Sequence, residues 1–160
     1  VKYNDTSKKL ITHLKHDHNS YTARAISKIM DSQFACHLDS IDFVCPVPLF
    51  FQKLQKRGHN QVAIVLEKME SVKGKLIMNL INKVRETAPQ SSLSQKMRAE
   101  NLKDAFIANP KHINQIYNKS IALFDDVMTT GATANECTKA LLEAGAREVM
   151  VFTFARAVMD

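Results

Sequence analysis

The sequence predicts an α/β protein built on an open, mainly parallel sheet flanked by helices, and three features of its patterning say so. Ile121-Ala122-Leu123-Phe124 and Val149-Met150-Val151-Phe152 are continuous apolar runs of strand length, the mark of strands covered on both faces. Between them Cys137, Ala140, Leu141 and Ala144 recur at helical spacing and Gly145 closes the stripe, so the three pieces make one βαβ unit. Ile41-Asp42-Phe43-Val44 is a further strand, ended by Pro46 and Pro48, after which Val62, Val65, Leu66 and Met69 set up another helical stripe.

With 160 residues, 45% of them hydrophobic, the chain has the material for one domain over 1–160: a small helical N-terminal part or hood over 1–40 and an α/β core over 41–160. No apolar run approaches the roughly 18 residues a membrane span needs, and no secretory h-region opens the sequence, so a cytoplasmic protein is expected. Cys36, Cys45 and Cys137 are odd in number and form no C-x-x-C pair, which suits small buried hydrophobes in a reducing compartment. A formal charge of +6 favours an anionic partner, although only Lys53, Lys56 and Arg57 crowd together.

In chain order, Leu10, Ile11 and Leu14 share one helical face, and Ile26, Ile29 and Met30 mark a second helix that Asn19 or Ser20 can cap. The cluster His13, Lys15, His16, Asp17, His18 lacks a companion carboxylate or cysteine pair and is assigned to solvated surface rather than to a metal site. After the proline-ended strand, Leu49 to Gln61 reads as a loop with three cations, in which Gly58 can bring backbone N–H groups to an anion and Asn60 caps the next helix. Leu80 to Arg85 is assigned to a strand, Glu86 to Lys103 to a long polar loop with a short helix, Asn109-Pro110 to a turn, and Ile113, Ile116 and Tyr117 to a short amphipathic helix.

The chemistry gathers at Ile121 to Thr133. A buried parallel strand that ends in Asp125-Asp126 must emerge into a cleft, at the carboxyl end where open α/β sheets bind ligands. Two carboxylates there can accept hydrogen bonds from vicinal hydroxyls or hold Mg²⁺ directly or through water. Thr129-Thr130-Gly131-Ala132-Thr133 then turns into a helix, bringing backbone N–H groups and three hydroxyls to its N-terminus, an anion site. The lysine of a Walker loop and the spacing of a G-x-G-x-x-G turn are both absent. A phosphorylated sugar is the ligand that needs both halves.

These thirteen residues resemble the phosphoribosyl pyrophosphate (PRPP) signature of the type I phosphoribosyltransferases: four apolar residues, two acids, two more residues, then Thr-Thr-Gly-x-Thr. From about Lys15 to the C-terminus the chain also resembles the ComF family of competence-associated proteins, on Pro46-Val47-Pro48, Lys56 to Gln61, Arg85, Thr87, Gln90, Arg98, Asn101, Ala105-Phe106 and Ala155-Arg156. The resemblance implies a type I phosphoribosyltransferase-like fold in which Asp125 and Asp126 hold the ribose hydroxyls and Thr129, Thr130, Gly131, Ala132 and Thr133 enclose the 5-phosphate. It places Arg57 and Gly58 at the pyrophosphate and makes Arg98, with Lys96 second, the cation of a catalytic loop. Mg²⁺ with PRPP is the implied cofactor. The implied function is PRPP binding linked to DNA uptake in natural transformation, with phosphoribosyl transfer to an acceptor or, as the alternative, a PRPP-sensing or single-stranded-DNA-binding module of the competence machinery. Two departures stand out: His59 replaces the aromatic residue usual between Gly and Asn, and the N-terminal cysteine-rich zinc module of many relatives has no counterpart.

Overall fold

A computed structural model describes residues 4–16, 20–88 and 95–157. Its spine is a three-stranded parallel sheet in the order β1 (Phe43–Pro46), β4 (Ser120–Met128), β5 (Glu148–Arg156), with Val44 beside Ala122 and Ala122 beside Met150. The reason for the unbroken apolar run is visible on its two sides. Ala122 and Phe124 face one core with Val44, Leu38, Leu66 and Phe152, while Ile121 and Leu123 face another with Cys45, Leu80, Leu102 and Leu141. No face of β4 is left for water, so alternation would have cost buried polar groups.

Helix α7 (Ala132–Glu143) joins β4 to β5 and buries Cys137, Ala140 and Leu141, completing the expected βαβ unit. Gly145 follows it at φ 94, a conformation suited to glycine. Helices α1 (Asp5–His16) and α2 (Ser20–Leu38) lie on the other side, where Leu14, Ala23, Ile26, Met30 and Leu38 enter the same core as α4 (Gln61–Leu66). Leu10 and Ile29 fall off the edges of their stripes and stay exposed, at 38% and 47%. The cap expected at Asn19 lies outside the described residues.

Several expectations change. The cationic connection is not a loop: Phe51–Arg57 forms helix α3, which buries none of its residues and ends where Gly58 turns left-handed at φ 78. Gln, Lys, Leu and Arg are all good helix formers, so a solvated helix and a solvated loop carry the same polarity signal there. The strand expected over Leu80 to Arg85 is shorter, β2 (Ile81–Lys83), and pairs antiparallel with β3 (Phe106–Ala108) in a second, two-stranded sheet. The short helix of the polar segment is α5 (Gln95–Leu102). In α6 (Ile113–Ile116) only Ile116 is buried, while Tyr117 stands 72% exposed beyond its end. Cys45 and Cys137 are buried as expected, but Cys36 is exposed. Among the described residues no helix is long and apolar enough to cross a membrane.

Phe124 is fully buried and stacks on Phe152 with ring centroids 4.9 Å apart, directly beneath the two acids. Phe124→Ala should therefore destabilise the fold by about 3–5 kcal/mol, read as a lower urea midpoint at unchanged slope. A shift worth less than about 1 kcal/mol would show that this ring is not the floor on which the site stands.

Candidate functional site

Strand β4 outlasts its apolar run. It continues through Asp125, Asp126 and Val127 to Met128, still paired with β5 at Asp125 and Val127, so the backbone of the acid pair is fixed by the sheet. Beyond the shorter β1 the chain turns away at Val47-Pro48, and this opens a cavity of about 330 Å³ at the carboxyl ends of the strands. Asp125, Asp126, Thr129 and Thr133 line one side; Lys15, Lys53, Arg57, Lys83 and Arg98 reach in from four other elements.

Asp126 is held from several directions. Its Oδ2 accepts from Lys15 Nζ at 2.9 Å and from Gln61 Nε2 at 2.8 Å, and its Oδ1 accepts from the Val127 N–H at 2.7 Å. Gln61 is itself oriented by Arg57, whose Nη1 donates to Gln61 Oε1 at 2.5 Å, so the guanidinium is linked to the carboxylate through one amide. Asn60 fixes this corner, accepting from the Val62 N–H as the N-cap of α4 and donating from Nδ2 to Val47 O at 2.9 Å.

The two acids divide the charge unequally. Burial and the neighbouring Asp126 charge push Asp125 up to about 7, against the pull of the Asp126 N–H that donates to its Oδ1 at 2.8 Å. Burial also works against the Asp126 carboxylate, yet Lys15, Gln61 and the Val127 N–H together hold its pKa below the ordinary value. The cations respond in kind: burial, then repulsion from Arg57 and Lys15, lowers Lys53; burial, then repulsion from Lys53, lowers Lys83; and burial lowers Arg57 against the attraction of Asp126. Oxygen donors of this type suit a hard divalent cation such as Mg²⁺. Because Asp126 already takes three hydrogen bonds, Asp125 has the greater room for one, at its carboxylate or through water.

The turn after β4 is the second half of the site. Gly131 at φ 78 is the N-cap of α7 and supplies no side-chain cap, so neither Thr130 nor Thr133 serves as the cap residue. Thr130 Oγ1 turns to the Ala132 N–H at 3.4 Å, and Thr129, Gly131, Ala132 and Thr133 surround a small cavity of about 20 Å³. Arg98, from α5, spans to this turn and donates to Thr129 Oγ1 at 3.4 Å.

Most of the residues expected from sequence thus converge: Asp125, Asp126, Arg57, Arg98 and the Thr129–Thr133 turn. Gly58 is not among the residues that line this cavity. Its N–H closes α3 by donating to Leu54 O at 2.7 Å, so its amide is spent on the helix end rather than offered to an anion. The side chain of Lys96 lies outside the described residues. The sequence pattern alone does not mark Lys15, Gln61 or Lys83 as site residues, and it marks Lys53 only by its charge. Signals existed for two of them. Lys15 follows buried Ile11 by four residues on one helical face, and Lys83 follows buried Ile81 by two along a strand, each a cation in phase with the core. Lys83 Nζ also donates to Thr87 Oγ1 at 2.6 Å and lies 5.5 Å from the Phe106 ring centroid.

This architecture is that of the type I phosphoribosyltransferases. Over 82% of this chain it superposes on a quarter of the allosteric regulatory enzyme of purine biosynthesis at a TM-score of 0.52 and 21% identity. Over 93% it superposes on 76% of a hypoxanthine phosphoribosyltransferase from Staphylococcus aureus at a TM-score of 0.51 and 14% identity. In sequence, 155 residues are 32% identical to competence protein F of Haemophilus influenzae, covering 92% of this chain and 67% of that one. Identity of 29% extends over 153 residues of the DNA utilization protein YhgH of Escherichia coli, covering 92% of this chain and 66% of that one, and over 156 residues of competence protein ComFC of Bacillus subtilis, covering 96% and 61%. The chain belongs to the ComF family. It spans about two thirds of the length of these curated relatives, and no family model matches it.

The unequal acid pair sets a pH dependence. A carboxyl raised from 3.8 to about 7 is protonated more readily in the folded chain than in the unfolded one, so its stabilising contribution is complete below 3.8 and is lost as pH rises to 7. Asp125→Asn cannot ionise, and its stability relative to the parent should grow by about 3 kcal/mol between pH 5 and pH 8, followed as a difference in thermal midpoint. An advantage that is flat with pH would place the Asp125 pKa in the ordinary range.

Proposed function

We propose that the cavity at the end of β4 binds PRPP, and that the protein works in DNA uptake during natural transformation as a PRPP-dependent member of the ComF family, in the cytoplasm. One observation carries the reading: one cavity holds the carboxylate pair, Thr129 and Thr133 on one wall and five cations on the others, and the turn between the two threonines encloses a small cavity that shares Asp125, Thr129 and Thr133 with it. A phosphorylated ribose bearing pyrophosphate has hydroxyls for the acids, a monoester for the turn and a polyanion for the cations. Neither a plain sugar nor plain phosphate would use all three. The names of the relatives, which refer to competence and DNA utilization, support the cellular setting.

The geometry also supports transfer of the phosphoribosyl group to an acceptor. Asp125 and Asp126 would orient the ribose by its hydroxyls, and the Thr129 and Thr133 hydroxyls with the amides around Gly131 would hold the 5-phosphate. Breaking the bond at C1 places new negative charge on the departing pyrophosphate, and Arg57 and Arg98, with Lys53 beside them, supply positive charge there. Bound Mg²⁺ would add charge stabilisation of the same leaving group. Arg98, carried on α5 beside the polar segment, would close the cavity and keep out water that would otherwise intercept the sugar.

A second reading, single-stranded DNA binding, is favoured by a neighbouring cavity of about 730 Å³. It shares Lys15, Phe50, Lys53, Arg57 and Lys83 with the first and adds Lys56. Cations along a groove with an aromatic face at hand are what an unpaired strand requires.

Titration calorimetry with PRPP, with and without Mg²⁺, should give saturable heat, and Asp125→Asn with Asp126→Asn should weaken it at least tenfold. No heat from folded protein under either condition removes the pocket assignment. With acceptors supplied as a panel of bases and amines, pyrophosphate release should fall by about 10²-fold or more in Arg98→Ala. Release at the parental rate would take Arg98 out of the chemistry. For the DNA reading, retention of a single-stranded oligonucleotide should weaken as salt rises and in Lys56→Ala, Arg57→Ala; salt-insensitive binding would dismiss it.

A further inference from the structure

Asp126 is not waiting for a ligand with open valences. Of the roughly four acceptor positions on an ionised carboxylate, three are filled, and both on Oδ2 are taken, one by Lys15 and one by Gln61. Lys15 is not a stray surface side chain that settled there. It is only 32% exposed, it sits one residue from Leu14, whose side chain is buried, and the Leu14 carbonyl is bonded to the His59 ring nitrogen Nε2 at 2.9 Å. Two core contacts of α1, Ile11 and Leu14, and one tether to the corner before α4 therefore aim this ammonium at the acid pair.

From this geometry we infer that Lys15 is the resident cation of the acid pair, a specificity-determining residue that keeps free divalent ions off Asp126 while the site is empty. A metal ion bound to Oδ2 would have to displace the ammonium, and one bound beside it would sit against a positive charge in a partly dry cavity, where such repulsion is weakly screened. Gln61 cannot substitute for it, since an amide brings no charge. The consequence for order of binding rests on the PRPP reading: the divalent cation enters with its polyanionic ligand and not before it. Lys15, which lines both neighbouring cavities, then stands where it can leave the carboxylate for a phosphate oxygen.

The test uses Mn²⁺ alone as the probe, titrated into the ligand-free chain and followed by electron paramagnetic resonance of the unbound ion. Lys15→Met should bind Mn²⁺ at least tenfold more tightly than the parent, Lys15→Arg should match the parent, and adding Asp126→Asn to Lys15→Met should abolish the gain. Lys15→Gln serves as a second variant if the methionine form fails to fold by circular dichroism. A gain below tenfold in folded Lys15→Met or Lys15→Gln, or one that survives Asp126→Asn, overturns the inference. The outcome is independent of PRPP calorimetry: absence of PRPP binding with the Mn²⁺ pattern intact would defeat the phosphoribose reading and leave the role of Lys15 standing.

Discussion

Two adjacent carboxylates at the end of a fully buried strand are the constraint that the rest of the structure answers. Like charges this close cannot both be ionised cheaply away from water. The fold resolves the conflict by supporting one acid and leaving the other strained: Asp126 receives an ammonium, an amide and a backbone N–H, whereas Asp125 is pushed up to about 7. Every element that meets the cavity can be understood as part of that settlement. Helix α4 brings Gln61 because Asn60 caps it at the right place, α3 brings Arg57 because Gly58 ends it there, and α1 brings Lys15 because Leu14 is in the core.

The cations carry a matching strain. Lys53, Arg57 and Lys83 all lose basicity to burial, and further Lys53 to Arg57 and Lys15 and Lys83 to Lys53, because positive charge is crowded around the cavity. A site that repels itself when empty is one that an anion stabilises on entering. In the proposed function the acids and the cations serve different parts of one ligand, and a ligand with hydroxyls in the middle and phosphates at both ends would relieve both strains together.

How much of this was legible in the sequence follows from how far apart the partners are. The central strand, the helix after it and the turn between them are local: an unbroken apolar run, a stripe at i, i+3, i+4, i+7, and a Thr-Thr-Gly-x-Thr signal can each be read within a dozen residues. The N-cap at Asn60 was legible for the same reason. Helix α3 was not, because it buries nothing and so leaves no period to detect, and β2 and β3, three residues each, are too short to show one. Lys15 and Gln61 became site residues only through folding, which sets them against an acid 111 and 65 positions away.

The N-terminal helix is thereby more than cover. Without the Lys15 ammonium, Asp126 would keep Gln61 and the Val127 N–H as donors but lose its nearest positive charge, and its pKa would rise toward that of its neighbour. The division of labour between the acids would narrow, since Lys15 is the largest of the groups that hold Asp126 down. A segment that the primary pattern assigns to a solvated, histidine-rich surface thus governs the protonation of a strand end on the far side of the sequence. The link runs through packing first, Ile11 and Leu14 in the core, and electrostatics second. An α1 that lost its apolar stripe would therefore take the ammonium away from the acid pair as surely as a substitution of Lys15 itself.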